Sequence, residues 1–346
     1  MFLIDESIKN IIVKKSIELG FIKTGFAHAD ILNEESENLH KWINNGYDAG
    51  MKWIQKNFEK RKDITKIMSD AKTVISLAYN YYTPFSHDEK LPKISRYAWG
   101  KDYHKIMKHK LQELCKFIEE KVNCEERIDE AIPKSGANNE LASCLPVPQA
   151  FRQVLPLKIH CIYYVDDGPV MDKVWAKRAG IGWQGKHTNI ISPEYGSWIF
   201  LCEIITNLDC NVYDKPIEDL CGSCRICIDV CPTGAIVDEY QLDSNLCISY
   251  QTIENKGDIP NYIDLNGWLF GCDVCQDVCP FNSNDKMTND KSFYPKQEIF
   301  NKTKEELENI TEKEFKDICK DSPVKRTKYK GWKRNLEHYN SNRKLN

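Results

Sequence analysis

No stretch of this sequence stays apolar long enough to span a bilayer. The opening residues, Met1-Phe-Leu-Ile-Asp-Glu-Ser, lack the basic start and long apolar run of an export signal, and no twin arginine is present there. Charge of one sign is scarce too: the net is only −3, which by itself selects no partner. Apart from two related cysteine runs there is no internal repeat. A cytoplasmic protein, neither membrane-spanning nor exported, is expected on these grounds.

Cysteine, by contrast, is abundant. There are fifteen in 346 residues, in a chain whose 41% hydrophobic and 29% charged content is that of a soluble globular protein with a real core. The run Cys221-Gly-Ser-Cys224-Arg-Ile-Cys227-Ile-Asp-Val-Cys231-Pro232 has the ferredoxin spacing C-x2-C-x2-C-x3-C-P. Three thiolates on one tight loop reach three corners of a cubane; the fourth, carried off by a helical turn, serves a neighbouring cluster. The second run, Cys272-Asp-Val-Cys275-Gln-Asp-Val-Cys279-Pro280, is one loop cysteine short, and Cys247 is the natural replacement. Crossed ligation then assigns Cys221, Cys224, Cys227 and Cys279 to one 4Fe–4S cluster, and Cys231, Cys247, Cys272 and Cys275 to another. A zinc ribbon or disulfide knot is the competing reading, but neither needs the C-x3-C-P tail. The remaining cysteines follow no motif spacing, and those in apolar runs, such as Cys161 and Cys202, read as buried thiols.

Taken in order, residues 5–19 carry apolar side chains at helical spacing and end at Gly20. Phe21 to Ala27 read as a strand. Residues 35–60 read as helical with Trp42 and Trp53 as core anchors, and Thr73 to Tyr79 as a buried strand. A polar-aromatic stretch, 94–104, leads into a helix through Lys121. From 123 to 152 the pattern fades into turn formers and charge, which suggests a long surface insertion. Residues 157–165 alternate as a half-buried strand ending at Asp166-Asp167-Gly168-Pro169, followed by a helix through Ala179. Strand-like runs at 189–192 and 196–206 precede the cysteine module, and an amphipathic helix around 303–319 precedes a basic end. The fold class is α+β, with a catalytic domain over 1–207, a ferredoxin-like two-cluster domain over 208–285 and a helical, basic tail over 286–346.

Clusters that move single electrons need a substrate or second cofactor nearby. Asp166 and Asp167, at a strand's C-terminal end and before a helix, stand where ligands commonly bind, although a helix N-cap is the plainer local reading. Gly180-Ile-Gly182-Trp183-Gln-Gly185-Lys186-His187 offers close backbone approach, an aromatic plate and two donors, yet matches neither a P-loop nor a dinucleotide fingerprint. Arg96, Tyr103 and His104 form a polar group around Trp99-Gly100. In the tail, Lys325, Arg326, Lys328, Lys330, Lys333 and Arg334 interleave with Tyr329 and Trp332, a composition suited to phosphate neutralisation and base stacking, or simply to a solvated terminus.

The order of Ser95-Arg-Tyr-Ala-Trp-Gly-Lys-Asp-Tyr-His104, Val165-Asp-Asp-Gly-Pro169, Arg178-Ala-Gly-Ile-Gly-Trp-Gln-Gly-Lys-His-Thr188, Gly196-Ser-Trp-Ile-Phe-Leu, the double cysteine run and Ser322-Pro-Val-Lys-Arg-Thr-Lys resembles the epoxyqueuosine reductase family. The likeness runs from about residue 8 to 335. It implies reduction of epoxyqueuosine to queuosine at the tRNA wobble position, a nitroreductase-like domain that binds cobalamin, two 4Fe–4S clusters and a low-potential donor of flavodoxin or ferredoxin type. A monomer is expected.

By position, Asp166 matches the family's proton-donor Asp. Cofactor-binding candidates are Arg61, Arg96, Ala98, Tyr103, His104, Gly182, Trp183, Lys186 and His187; the six basic tail residues are the tRNA candidates. The lower-ligand motif D-x-H-x-x-G is approached by Asp102-Tyr-His104 and fails at Met107, so base-off cobalamin is expected. Three departures stand out. Asp167 replaces the usual Thr or Ser, the 123–152 stretch exceeds the usual connection, and the helical-repeat extension of longer members is expected to be absent. A cytosolic cobamide-dependent reductive dehalogenase, or a non-catalytic electron-transfer protein, is the alternative.

Overall fold

The computed structural model describes residues 3–131, 159–283 and 286–343. At its centre is a four-stranded sheet in the order Lys23–His28, Thr73–Asn80, Ile199–Thr206, Cys161–Tyr164, antiparallel throughout. The two inner strands are apolar and β-branched because both of their faces are covered. Alternation sorts their side chains. Ile75, Leu77, Tyr79, Phe200, Cys202 and Ile204 join one core, while Val74, Ala78, Ile199 and Ile205 join the other. On the first face lie the helices Glu6–Glu18 and Tyr103–Ala131, the latter presenting Met107, Leu111, Leu114 and Ile118 at successive turns. On the second face lies the short helix Asp172–Arg178, through Trp175 and Ala176. Each fully buried Val, Leu, Ile or Phe among them contributes about 1.5–3 kcal/mol. The α+β class read from the sequence is the observed one.

Several boundaries differ from expectation. The helix expected over 35–60 is broken into Asn33–Asn44, Lys52–Lys56 and Phe58–Lys62, and Trp53 is 46% exposed rather than a core anchor. Trp42 instead donates its indole N–H to the Leu242 carbonyl at 2.6 Å, tying this region to the cysteine module. The helix expected from Pro169 begins only at Asp172, and the one expected over 303–319 is two, Lys304–Glu308 and Glu312–Cys319, each opened by a Thr–Glu capping box. The long helix runs past Lys121 to Ala131, so the supposed insertion starts as helix; its remainder, 132–152, lies outside the described residues.

The C-terminal residues are not a loose tail. Phe315, Val324, Trp332 and Leu336 form a third core with Ile94, Trp99, Ile253, Leu269 and Phe270. That core explains the Trp-Gly pair at 99–100: a Cβ on Gly100 would stand 2.2 Å from the Ser292 carbonyl oxygen. Packing here locks the 94–100 segment between the cysteine module and the C-terminal helices.

Candidate active site

The eight motif cysteines fall into two electrostatic groups. Burial first, then the neighbouring thiols of Cys279, Cys221 and Cys224, pushes the Cys227 thiol up to about 11. Burial also raises Cys275, whose thiol neighbours include Cys247 and Cys231, and Cys272, whose neighbours are Cys275 and Cys247. These neighbours follow the crossed ligation expected from the sequence: a quartet of Cys221, Cys224, Cys227 and Cys279, called outer because it is farther from Asp166, and a quartet of Cys231, Cys247, Cys272 and Cys275, called inner because Cys247 and Cys275 act on Lys173 beside it. None of the eight is joined in a disulfide. Among the described residues no three His, Cys, Asp or Glu side chains close to the spacing of a single ion; the ligands of a cubane, each meeting a different iron, stand farther apart than those of one zinc.

Asp166 sits at the head of the sheet in the left-handed backbone region (φ 48°), before Gly168 (φ 80°). Its Oδ2 accepts the Tyr103 hydroxyl at 2.6 Å, and the Tyr103 ring stacks on Phe200 at 4.2 Å. Burial, with the nearby Asp166 carboxylate, raises the Tyr103 hydroxyl well above its usual range and keeps it a donor. Tyr97 faces the same carboxylate. Asp167 is committed elsewhere: its Oδ1 accepts the Val165 N–H at 2.9 Å and its Oδ2 pairs with Lys108. Arg61 clamps the loop, donating to the Val170 and Gly168 carbonyls at 3.0 and 3.3 Å. Of two adjacent carboxylates, one braces and one faces the cleft.

Beyond the loop, Lys173 donates to the Asn189 side chain at 3.0 Å. It keeps solvent contact, yet desolvation lowers its pKa, and it feels Asp166, Asp172, Cys275 and Cys247. The exposed Lys173 side chain, reached by all four of these charges, marks the gap between the Asp166 loop and the inner quartet, the cleft of the site. His187 lines it from nearby. Burial, then Lys173, lowers its pKa to about 4, so the ring is neutral. Its Nδ1 accepts the Asn189 N–H at 3.2 Å, which puts the proton on Nε2, a buried donor with no acceptor among the described residues. The Arg61 Nε is a second such donor.

The other sequence candidates divide. Trp183 packs on Phe281 in an apolar cluster that includes Cys221 and Cys279; Lys186 donates to the Gly222 carbonyl and Glu239 at 2.7 and 2.8 Å. Both therefore brace the outer quartet's loop rather than the cleft. A Cβ on Gly182 would stand 2.1 Å from the Ile191 carbonyl oxygen, so that glycine serves backbone packing. Arg96 is held in a cage of Tyr82, Trp99 and Trp198 and donates to the Thr83 and Phe85 carbonyls. Ala98 is fully buried, its carbonyl accepting from Ser322. His104 binds Asp102 through Nδ1 at 2.8 Å, and Lys325 binds the same carboxylate. Despite burial, these partners hold Asp102 well below the usual carboxylate range.

In the basic segment Arg326 pairs with Glu254 and also faces Asp166, while Lys333 and Arg334 are spent on backbone carbonyls. Lys328 and Lys330 are exposed, but Trp332 is buried and unavailable for stacking. Sequence reasoning missed Lys173, Asp172 and Glu203. The last was the most legible, a lone charge inside the apolar strand Ile-Phe-Leu-Cys-Glu-Ile-Ile-Thr.

The model described as "4Fe-4S double cluster binding domain" matches residues 220–282, and the one for "Epoxyqueuosine reductase QueG, DUF1730" matches residues 61–129. The epoxyqueuosine reductase of Atelocyanobacterium thalassa is 41% identical, over 97% of this chain and 99% of its own. The chain belongs to the epoxyqueuosine reductase family. Solved members share its fold. The crystal structure of an epoxyqueuosine reductase with an epoxyqueuosine-modified tRNA-Tyr stem loop superposes with a TM-score of 0.76 at 29% identity, covering 96% of this chain and 80% of that one. A Bacillus subtilis epoxyqueuosine reductase, whose catalytic aspartate loop is swung out of the active site, gives 0.76 at 28% identity, with 96% and 81% covered. Like its relatives, the protein is an oxidoreductase with a double 4Fe–4S module. Among the described residues no helix is long and apolar enough to cross a membrane.

Proposed function

We propose that this protein reduces epoxyqueuosine in tRNA to queuosine, with cobalamin in the cleft between Asp166 and the inner quartet. The observation that carries this reading is the line from Cys247 and Cys275 past Lys173 to the Asp166–Tyr103 pair. When bound, cobalamin supplies low-potential electrons at cobalt. His187 Nε2–H and Arg61 Nε–H, both donors without an acceptor, fit the amide and phosphate oxygens along such a cofactor's edge. His104 is spent on Asp102, which supports the base-off form. Asp166 donates a proton to the departing epoxide oxygen, and Tyr103 holds its carboxyl in place. The catalytic aspartate on a swinging loop in the Bacillus subtilis relative is consistent with that role.

Exposed Lys328 and Lys330, with Arg326 at the cleft, meet the tRNA backbone. A flavodoxin- or ferredoxin-type donor lands on the outer quartet, where Leu220, Ile226 and Val230 are exposed. The protein works as a monomer in the cytoplasm, where free thiols persist.

The test is anaerobic turnover of epoxyqueuosine-containing tRNA by cluster-reconstituted protein and a low-potential reductant, with and without cobalamin. Nucleoside mass spectrometry should show loss of one oxygen only with cobalamin. Asp166→Asn should keep both clusters and lose about 10²–10⁴-fold in kcat, whereas Asp167→Asn should lose far less. Full activity in Asp166→Asn would remove it as the acid.

A further inference from the structure

Behind the Asp166 loop lies a second pair of carboxyls to which the reading above gives no role. Glu203 is fully buried in the middle of an inner strand, opposite Ser76 on one side and Tyr164 on the other. Ser76 Oγ donates to its Oε1 at 3.3 Å. Asp172, at the start of the helix after the Asp166 loop, is within hydrogen-bond reach of Glu203. Each carboxyl keeps one buried oxygen, Asp172 Oδ1 and Glu203 Oε2, without a conventional donor among the described residues. Two carboxylates cannot share a dry hydrogen bond unless one carries a proton. The surrounding charges are Arg61 from the preceding helix and Asp166 from the loop, with Lys173 adjoining Asp172 on the helix itself. A pair of carboxyls holding one proton and one negative charge therefore stands close enough to Asp166 to feel its charge.

We propose that Asp172 and Glu203 form a one-proton acid pair that recharges Asp166, supplying the second proton of the reduction. The inference rests on the epoxide-reducing reading. Converting an epoxide to an alkene breaks both C–O bonds, forms the second C–C bond and consumes two electrons and two protons, the oxygen leaving as water. The electrons come from the low-potential donor. Asp166 can give one proton; after it has done so its carboxylate must take another before the oxygen can leave as water. The proton held on Glu203 passes through Asp172, at the start of the helix that follows the Asp166 loop, to that carboxylate, and the pair is refilled from solvent. Burial raises Asp172 to about 6 and Glu203 well above its ordinary range, so a proton is held at neutral pH. The two residues are positioning and proton-supplying groups, since neither need touch the substrate.

The test uses the cluster- and cobalamin-loaded enzyme and the isosteric variants Glu203→Gln and Asp172→Asn. Infrared spectra of the wild type at neutral pH should contain a protonated carboxyl C=O band that shifts in D2O and is lost in Glu203→Gln. In turnover, Glu203→Gln should lower kcat about tenfold or more with KM for tRNA unchanged, and should abolish the fall of kcat with rising pH. A merely structural role would move the melting temperature but leave that pH limb intact. No carboxyl band in the wild type, or a wild-type kcat and pH profile in Glu203→Gln, overturns the proposal; should that variant not fold, the wild-type band and Asp172→Asn decide it. Failure of the wild type to convert epoxyqueuosine would sink the functional reading instead, and the infrared result would stand apart from it.

Discussion

The two cysteine quartets come from nearly the same motif and live in different surroundings. The outer one rests on a small apolar cluster, Trp183, Ile191 and Phe281 around Cys221 and Cys279, with Lys186 holding the Gly222 carbonyl. The inner one is backed by packing. Helix Ile248–Ile253 and strand Trp268–Phe270, which flank Cys247 and Cys272, are pressed between the 94–100 segment and the C-terminal helices. Its charged neighbours include Lys173 on the cleft side and Asp273, which Ser95 and the Arg96 N–H hold from the 94–100 segment. A small cluster tied by one lysine keeps a loop in shape while Leu220, Ile226 and Val230 stay exposed to a protein partner. A larger core fixes the backbone on the side that faces Asp166.

The contrast can be broken from either side. Cys275→Ser should have the largest effect, abolishing epoxide turnover while the outer cluster survives; iron content and the EPR signal of the remaining cluster check it. Trp332→Ala removes the largest buried side chain of the C-terminal layer and should cost about 3–5 kcal/mol, with the inner cluster lost first as denaturant rises. Lys186→Met leaves the Gly222 carbonyl and Glu239 without their donor, at about 1–3 kcal/mol. The outer cluster should then release iron to a chelator faster and the inner one at the wild-type rate. The smallest effect belongs to the surface: Lys328→Ala with Lys330→Ala should weaken tRNA binding and reduce the salt slope by about one per lysine, sparing both clusters.

The two-cluster module was legible because the spacing within each cysteine run is local: a loop and one helical turn carry the pattern. The inner strands were legible for a similar reason, since β-branched runs buried on both faces look alike in any sequence. The roles of Arg96 and Lys186 were not. A lone basic residue in an aromatic or glycine-rich stretch reads as ligand-binding, and only tertiary packing reveals that Arg96 fills a cage of three rings or that Lys186 reaches across to a loop 36 residues on. The basic segment misled in the opposite direction. Its pattern of charges and aromatics is that of a nucleic-acid arm, yet Trp332 and Arg334 face inward. Choosing between Asp166 and Asp167 needed the backbone: a positive φ turns the first toward the cleft and lets the second bond the strand end.

Arg334 donates to the carbonyls of Gln251, Asn255 and Gly257, and Asn335 to those of Thr252 and Leu269. These are the backbone segments beside Cys247 and Cys272. During synthesis the chain emerges N-terminus first, so every cluster cysteine is made before the residues that clamp the inner quartet in place. The contacts that hold the backbone beside Cys247 and Cys272 can thus form only after all eight thiols have been made.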